Sequence, residues 1–227
     1  MSGFNALKRS LCTSVAVMAI VVSGAASAGP EGGIVVGGSA SITQSGVKTD
    51  IYQSSSKAIL DWRSFDINAS EHVQFHQPSS SAIALNRIRD VKPSTIDGRL
   101  TANGHVMLLN PNGVVFGSGS QVDVGSLTVT TADIDNNDFM AGRLTFNKAG
   151  MHDAAIVNKG TITVQEAGLA SFVAPHVVND GVISARLGKV QLAAADTFTL
   201  DLAGDQLLQV AVSHEDATKL VSNSGVI

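Results

Sequence analysis

The sequence predicts an all-β chain wound as a parallel β-helix, a solenoid of about 21 residues per coil with an N-terminal β cap and extra-helical strands. Three observations predict it. Val157-Asn158-Lys159-Gly160-Thr161-Ile162, Val178-Asn179-Asp180-Gly181-Val182-Ile183 and Ser222-Asn223-Ser224-Gly225-Val226-Ile227 repeat one phrase. Their glycines stand about 21 and then about 44 residues apart, one period followed by two. Within each coil a second glycine follows, Gly168 after Gly160 and Gly188 after Gly181, and the stretches 161–164, 182–185 and 189–192 between these corners are too short for helices. Glycine and β-branched residues are plentiful while aromatics make up only 4% of the chain, a turn-rich β profile with no disordered character.

Residues 1–28 read as a secretory signal, an address for the Sec translocon. Lys8 and Arg9 form the basic start, 11–22 the apolar core, and Ala26-Ser27-Ala28 the small residues of a cleavage site between Ala28 and Gly29. The apolar run is too short to cross about 30 Å of hydrocarbon comfortably. Cys12, the only cysteine, leaves with the signal, so burial and backbone pairing hold the mature chain without disulfides. Losing Lys8 and Arg9 takes the 15 basic residues to 13 against 19 acidic ones. That balance argues against nucleic acid or an anionic membrane surface as partner. About 200 residues remain, enough to bury a core.

Residues 29–66 are expected to supply the N-terminal cap and first strands, and 67–227 the coils. Strand patterns fall at 34–36, 41–44 and 50–53. In 60–65, Leu60, Trp62 and Ser64 are expected on one face and Asp61, Arg63 and Phe65 on the other. Trp62, the only tryptophan, is read as a plug for the solenoid end, since an uncapped coil exposes strand edges and core. Stacking on carbohydrate is its alternative role. His72 and His76 share a strand face about 13 Å apart, too far for one metal ion. Short strands then follow across 81–127, separated by Asp97-Gly98, Asn103-Gly104 and Asn110-Pro111-Asn112-Gly113. Residues 131–150, with Asp133, Asp135, Asn136, Asn137 and Asp138, break the pattern and are expected to leave the stack as solvated turns. They lack the glycine and terminal glutamate of a calcium loop.

Asn110-Pro111-Asn112-Gly113 is a turn with a mechanism. Proline presets φ, asparagine side chains bond nearby backbone N–H groups, and glycine accepts positive φ. Between Val106-Met107-Leu108-Leu109 and Val114-Val115-Phe116-Gly117 it makes a rigid corner joining two buried strands. Together with Asp61-Trp62-Arg63-Ser64-Phe65, Val73-Gln74-Phe75, Ser81-Ala82-Ile83-Ala84-Leu85-Asn86-Arg87 and Ser94-Thr95-Ile96-Asp97-Gly98, these residues resemble the N-terminal secretion domain of the filamentous haemagglutinin family. Members are the exported partners of Gram-negative two-partner secretion systems. The resemblance runs from about Gly32 to Asp205. It implies a right-handed parallel β-helix, recognised and exported by an outer-membrane β-barrel with periplasmic POTRA domains. It singles out Asn110, Pro111, Asn112 and Gly113, with Asn86, Arg87 and Trp62, as motif residues. The family's upstream Asn-Pro-Asn-Leu motif is absent, and Gln77-Pro78-Ser79 stands near its place.

The function expected is therefore a secretion-competent β-helix, delivered to the cell surface through the periplasm, with no catalytic residue, cofactor or metal. An adhesive surface binding host-cell glycans or proteins is the second class. A polysaccharide-active β-helix is the third, with Asp196, Asp201 and Asp205 beside Arg186 or Lys189 as its candidate residues. The last coil is barely begun at Ile227, so the stack is expected either to continue in a longer exoprotein or to be capped there by another chain.

Overall fold

The computed structural model describes residues 29–202, 208–210 and 220–227. The signal assigned to residues 1–28, Ala28 included, and Asp205 lie outside the described residues. The chain forms a parallel β-solenoid of about 6 turns. One sheet stacks Lys57–Trp62, Ile83–Ile88, His105–Leu109, Ser126–Thr130, Leu169–Ala174 and Lys189–Ala194. A second stacks Ser94–Ile96, Gly113–Phe116, Ala155–Asn158, His176–Asn179 and Leu220–Asn223. A third stacks Lys48–Gln53, His72–His76, Arg99–Ala102, Gln121–Val124, Thr161–Val164 and Val182–Ala185.

In-register parallel pairing puts like residues in columns. Val73, Leu100, Val122, Ile162 and Ile183 form one column of buried aliphatics. The repeated phrases form another. Asn158 Nδ2 donates to Asn179 Oδ1 at 2.7 Å across 21 positions, and Asn179 Nδ2 donates to Asn223 Oδ1 at 2.7 Å across 44. Each amide satisfies the next, so the buried polar row carries no orphaned group along its length. Gly160, Gly181 and Gly225 stack beside it. A Cβ on Gly181 would lie 2.3 Å from the Gly160 carbonyl oxygen, and one on Gly225 2.0 Å from that of Gly181. Only glycine lets successive corners approach this closely.

Antiparallel strands close the N-terminal end, as a cap must. Ile34–Gly37 pairs with Lys57–Trp62, and Ala40–Ser45 with Lys48–Gln53. Trp62 is 1% exposed and out of reach of a sugar, which removes the stacking alternative. Its ring lies under Gly33, and its Nε1 donates to Asn86 Oδ1 at 3.0 Å. The expected alternation past Trp62 fails: the strand ends there, and Phe65 folds inward, edge-on to Trp62 at 5.4 Å.

Outside the stack lies a second apolar cluster. Ile59, Leu85, Met107, Leu109 and Val173 from the outer side of the first sheet meet Ile134, Phe139, Leu144, Phe146, Phe198 and Leu200. The excursion after Thr131 is not a set of solvated turns; it folds into a helix, Asn136–Ala141, and a short strand, Thr145–Phe146. Asp135 caps the helix by accepting from the backbone N–H of Asn137 at 2.8 Å, and Gly142, with φ of 82°, ends it. Burying Phe139 against the first sheet stabilises a helix too short to persist alone. Thr145–Phe146 and Leu208–Val210 flank Phe198–Leu200 in a small antiparallel sheet, and Phe146 stacks on Phe198 at 4.4 Å.

Candidate functional site

The corner at residues 110–113 is built inward from Asn110, which is fully buried. Gly113 N–H donates to the Asn110 carbonyl at 3.0 Å, closing a β-turn with proline at its first central position. The Asn110 side chain accepts from the Asn112 N–H at 2.9 Å and donates to Lys92 O at 3.0 Å and Ser94 Oγ at 3.1 Å. Asn112 Nδ2 donates to Asp90 O at 2.8 Å. Two side chains thus tie the corner to the loop one coil earlier. Gly113 adopts φ of 106°, and a Cβ there would lie 2.3 Å from Ala155 O. Pro111 O accepts from Met151 N–H at 2.8 Å, which returns the excursion to the stack at this corner.

Arg87 stands beside it, 4% exposed on the outer face of Ile83–Ile88. Its Nε donates to Asp133 Oδ1 at 2.7 Å, Nη1 to Asn136 Oδ1 at 2.8 Å and Asp61 Oδ1 at 3.2 Å, and Nη2 to Ile134 O at 2.7 Å. One guanidinium therefore fastens the excursion to the first two coils, with its donors spread over carboxylates, an amide and a carbonyl. Asp133 and Lys148 exchange backbone hydrogen bonds of 2.7 and 3.2 Å and close the neck of the excursion. Asn86, next along the strand, points the other way, into the coil interior, where its amide donates to Ala84 O and Met107 O.

Arg87, Pro111 and Asn112 meet in one groove of about 430 Å³, lined also by Ile88, Val91 and Met151. Val91 is 84% exposed and Met151 60%, so the rim is apolar and open. Asn110 and Gly113 shape the corner from below, whereas Pro111 and Asn112 reach its surface. Trp62 and Asn86 belong to the core and lie apart from this surface. Arg186 and Lys189 flank the corner at Leu187-Gly188, and Asp196 and Asp201 bracket Phe198–Leu200. Asp205, the remaining acidic candidate, lies outside the described residues.

Gln77, noted in the sequence only as standing near the place of the absent upstream motif, has a role that sequence reasoning did not give it. It is 7% exposed; its backbone N–H donates to Asn103 Oδ1 at 2.7 Å, and its Oε1 accepts from Gly104 N–H at 3.0 Å. Its Nε2 contacts Ala82 O at 3.0 Å and Gln53 Oε1 at 3.2 Å. Gln77 thus ties together the corner between the third and first sheets, as Asn110 does a corner between the first and second. The signal was the buried amide type before Pro78, in a stretch otherwise rich in serine.

His72 and His76 serve separate roles on the open face of the third sheet. His72 Nε2 contacts Thr101 Oγ1 at 2.8 Å, and burial first, then the charge of Arg99, depresses its pKa. His76 Nε2 contacts Asp50 Oδ1 at 2.7 Å and its ring stacks on Tyr52 at 4.4 Å. The hydrogen bond from His76 is the main cause that lowers the Asp50 pKa.

A family model for the TPS secretion domain matches residues 26–227. The heme/hemopexin-binding protein of Haemophilus influenzae (strain Rd) is 34% identical over 207 residues, which cover 87% of this chain and 22% of that protein. A second heme/hemopexin-binding protein of the same species is 47% identical over 88 residues, 39% of this chain and 10% of its own. Among solved structures, the HMW1 secretion domain from Haemophilus influenzae superposes with a TM-score of 0.78 at 33% identity, covering 87% of this chain and 53% of that one. The chain thus spans well under two thirds of each of these relatives.

Proposed function

We propose, from the premise that this chain belongs to the TPS secretion domain family, that it is the segment by which a two-partner secretion exoprotein is handed to its transporter. The transporter is an outer-membrane β-barrel whose periplasmic POTRA domains engage the chain while it is extended. Passage through the Sec translocon with residues 1–28 as signal comes first, and folding at the cell surface comes last. Heme or hemopexin binding is the named property of a protein of which this chain matches 22%.

The observation that carries the reading is the ladder itself. Each coil offers the next a row of free backbone donors and acceptors, in register, plus columns of like side chains. Adding a coil buries apolar surface and pairs backbone against a template already formed, so folding outside the membrane is a free-energy source where ATP is absent. The same property suits strand addition by POTRA edges before folding. The corner at Asn110 to Gly113 sets the angle between two sheets early in the stack, and its role is to shape the domain. Coexpressing the chain with and without the barrel, and with a barrel lacking POTRA domains, tests this. Export that needs both barrel and POTRA domains is expected; export with neither would overturn it.

A further inference from the structure

We infer that the α-amine freed at Gly29 docks as an ammonium on the Glu71 carboxylate, so that removal of residues 1–28 completes the cap of the solenoid. This rests on the proposed cleavage between Ala28 and Gly29.

Glu71 is 5% exposed and directly precedes the strand His72–His76. Among the described residues it accepts side-chain hydrogen bonds from Asn68 alone: the backbone N–H to Oε2 at 2.7 Å and Nδ2 to Oε1 at 2.8 Å. Both donors are neutral. Among the described residues no lysine, arginine or histidine lies within ion-pair distance of it. A carboxylate removed from water without a cation is costly, and a nearby positive charge offsets that cost.

Gly29 stands at that carboxylate. A Cβ built on it would lie 3.0 Å from Thr49 Oγ1 and 4.0 Å from Glu71 Oε2. The Gly29 nitrogen is one bond, about 1.46 Å, from the same Cα. Rotation about the Gly29 Cα–C bond that puts the nitrogen where this Cβ would lie sets an ammonium about 4.0 Å from Oε2, within ion-pair reach, and about 3.0 Å from the buried Thr49 hydroxyl, its hydrogen-bond acceptor. The chain that follows is fixed. Pro30 is buried and its carbonyl accepts from Gln44 Nε2 at 2.6 Å. Glu31 N–H donates to Ser64 O at 2.9 Å, while Glu31 O accepts from Arg63 N–H at 2.9 Å. The Glu31 and Arg63 side chains also pair.

Cleavage supplies the charge. Hydrolysis adds the hydroxyl of water to the Ala28 carbonyl carbon and its proton to the Gly29 nitrogen, which takes one more proton from solvent near neutral pH. In the uncleaved chain the same nitrogen is a neutral amide. Pairing raises the α-amine pKa above its ordinary range of about 7.7–8.0. The stabilisation is then full below that range and is lost as pH rises through the raised value.

The test uses the processed chain recovered after export, its first residue fixed by mass spectrometry. The pH dependence of α-amine labelling is compared between the native chain, Glu71→Gln and Glu71→Asp. The expected result is a Gly29 amine at least several-fold slower to label at pH 7.5 than an exposed α-amine. In Glu71→Gln it returns to the ordinary range, and Glu71→Asp, the variant kept in case Glu71→Gln does not fold, falls between. A Gly29 amine that labels at the ordinary rate in the native chain overturns the pairing alone. A first residue other than Gly29 overturns the cleavage assignment, and the pairing with it.

Discussion

In the sheet that runs from Lys57–Trp62 to Lys189–Ala194, Ile83–Ile88, His105–Leu109 and Leu169–Ala174 are buried at every position. In the sheet from Lys48–Gln53 to Val182–Ala185, burial alternates, as in Gln121–Val124 and Thr161–Val164. Both sheets run through the same coils with the same parallel ladder. The difference is what lies outside. The helix Asn136–Ala141 and the small antiparallel sheet cover the first, while water covers the third. The solenoid interior therefore dictates only one face of each strand; the other face is dictated by segments that leave the coil and come back.

Breaking the feature both sheets share should have the largest effect. Gly181→Val places side-chain atoms where the Gly160 carbonyl already stands, and should cost about 3 kcal/mol or more. Chemical denaturation would register it, or the domain would not accumulate. Next comes the comparison itself, at two outward positions. Met107→Ala, on the covered face and wholly buried, should cost about 2–5 kcal/mol. Asp123→Ser, on the open face, should stay within about 0.5 kcal/mol. Equal losses would mean that the covering segments contribute nothing.

The covered sheet should also confer acid sensitivity. His105 is buried, touches Thr128 Oγ1 at 2.9 Å, and has its pKa pushed down by burial to about 4. The unfolded chain then binds the extra proton between about pH 6.5 and about pH 4. Stability from the neutral imidazole is present above that window and is lost as pH falls through it, by on the order of 3 kcal/mol. His105→Phe should flatten melting temperature against pH in this window. A smaller, local effect is expected from Arg87→Ala, which strands Asp133 beneath the excursion. A loss of about 2–3 kcal/mol follows if the partly exposed carboxylates recover some hydration, with hydrogen exchange rising first in Asn136–Ala141. Smaller again, though above the open-face Asp123→Ser, is Asn179→Ala, which removes the amide linking Asn158 Nδ2 to Asn223 Oδ1, at about 1–3 kcal/mol.

The same division explains what the sequence disclosed. A stack repeats in space what it repeats in sequence, so Asn158, Asn179 and Asn223, with Gly160, Gly181 and Gly225, announced their columns. Alternation gave the open sheet, and Asn110 to Gly113 gave the corner between the covered sheet and the second one, because both are local. The covering layer was not local. Its helix spans only six residues, too few for a periodic signal, and the caps Asp135 and Gly142 read equally well as turn residues. Phe65 turned inward because the strand ended at Trp62, which no spacing rule marks. The role of Gln77 was hidden because its partners, Gln53 and the turn Asn103-Gly104, come from two segments distant in sequence.

The corner at Asn110 to Gly113 joins the covered sheet to the second one, and its proposed role in export is to shape the domain. Asn110→Ala and Gly113→Val, expressed with the barrel partner, should be measured for exported fraction and for periplasmic stability in the same cells. Export falling in step with stability is the predicted result. Normal export of a destabilised domain would contradict it.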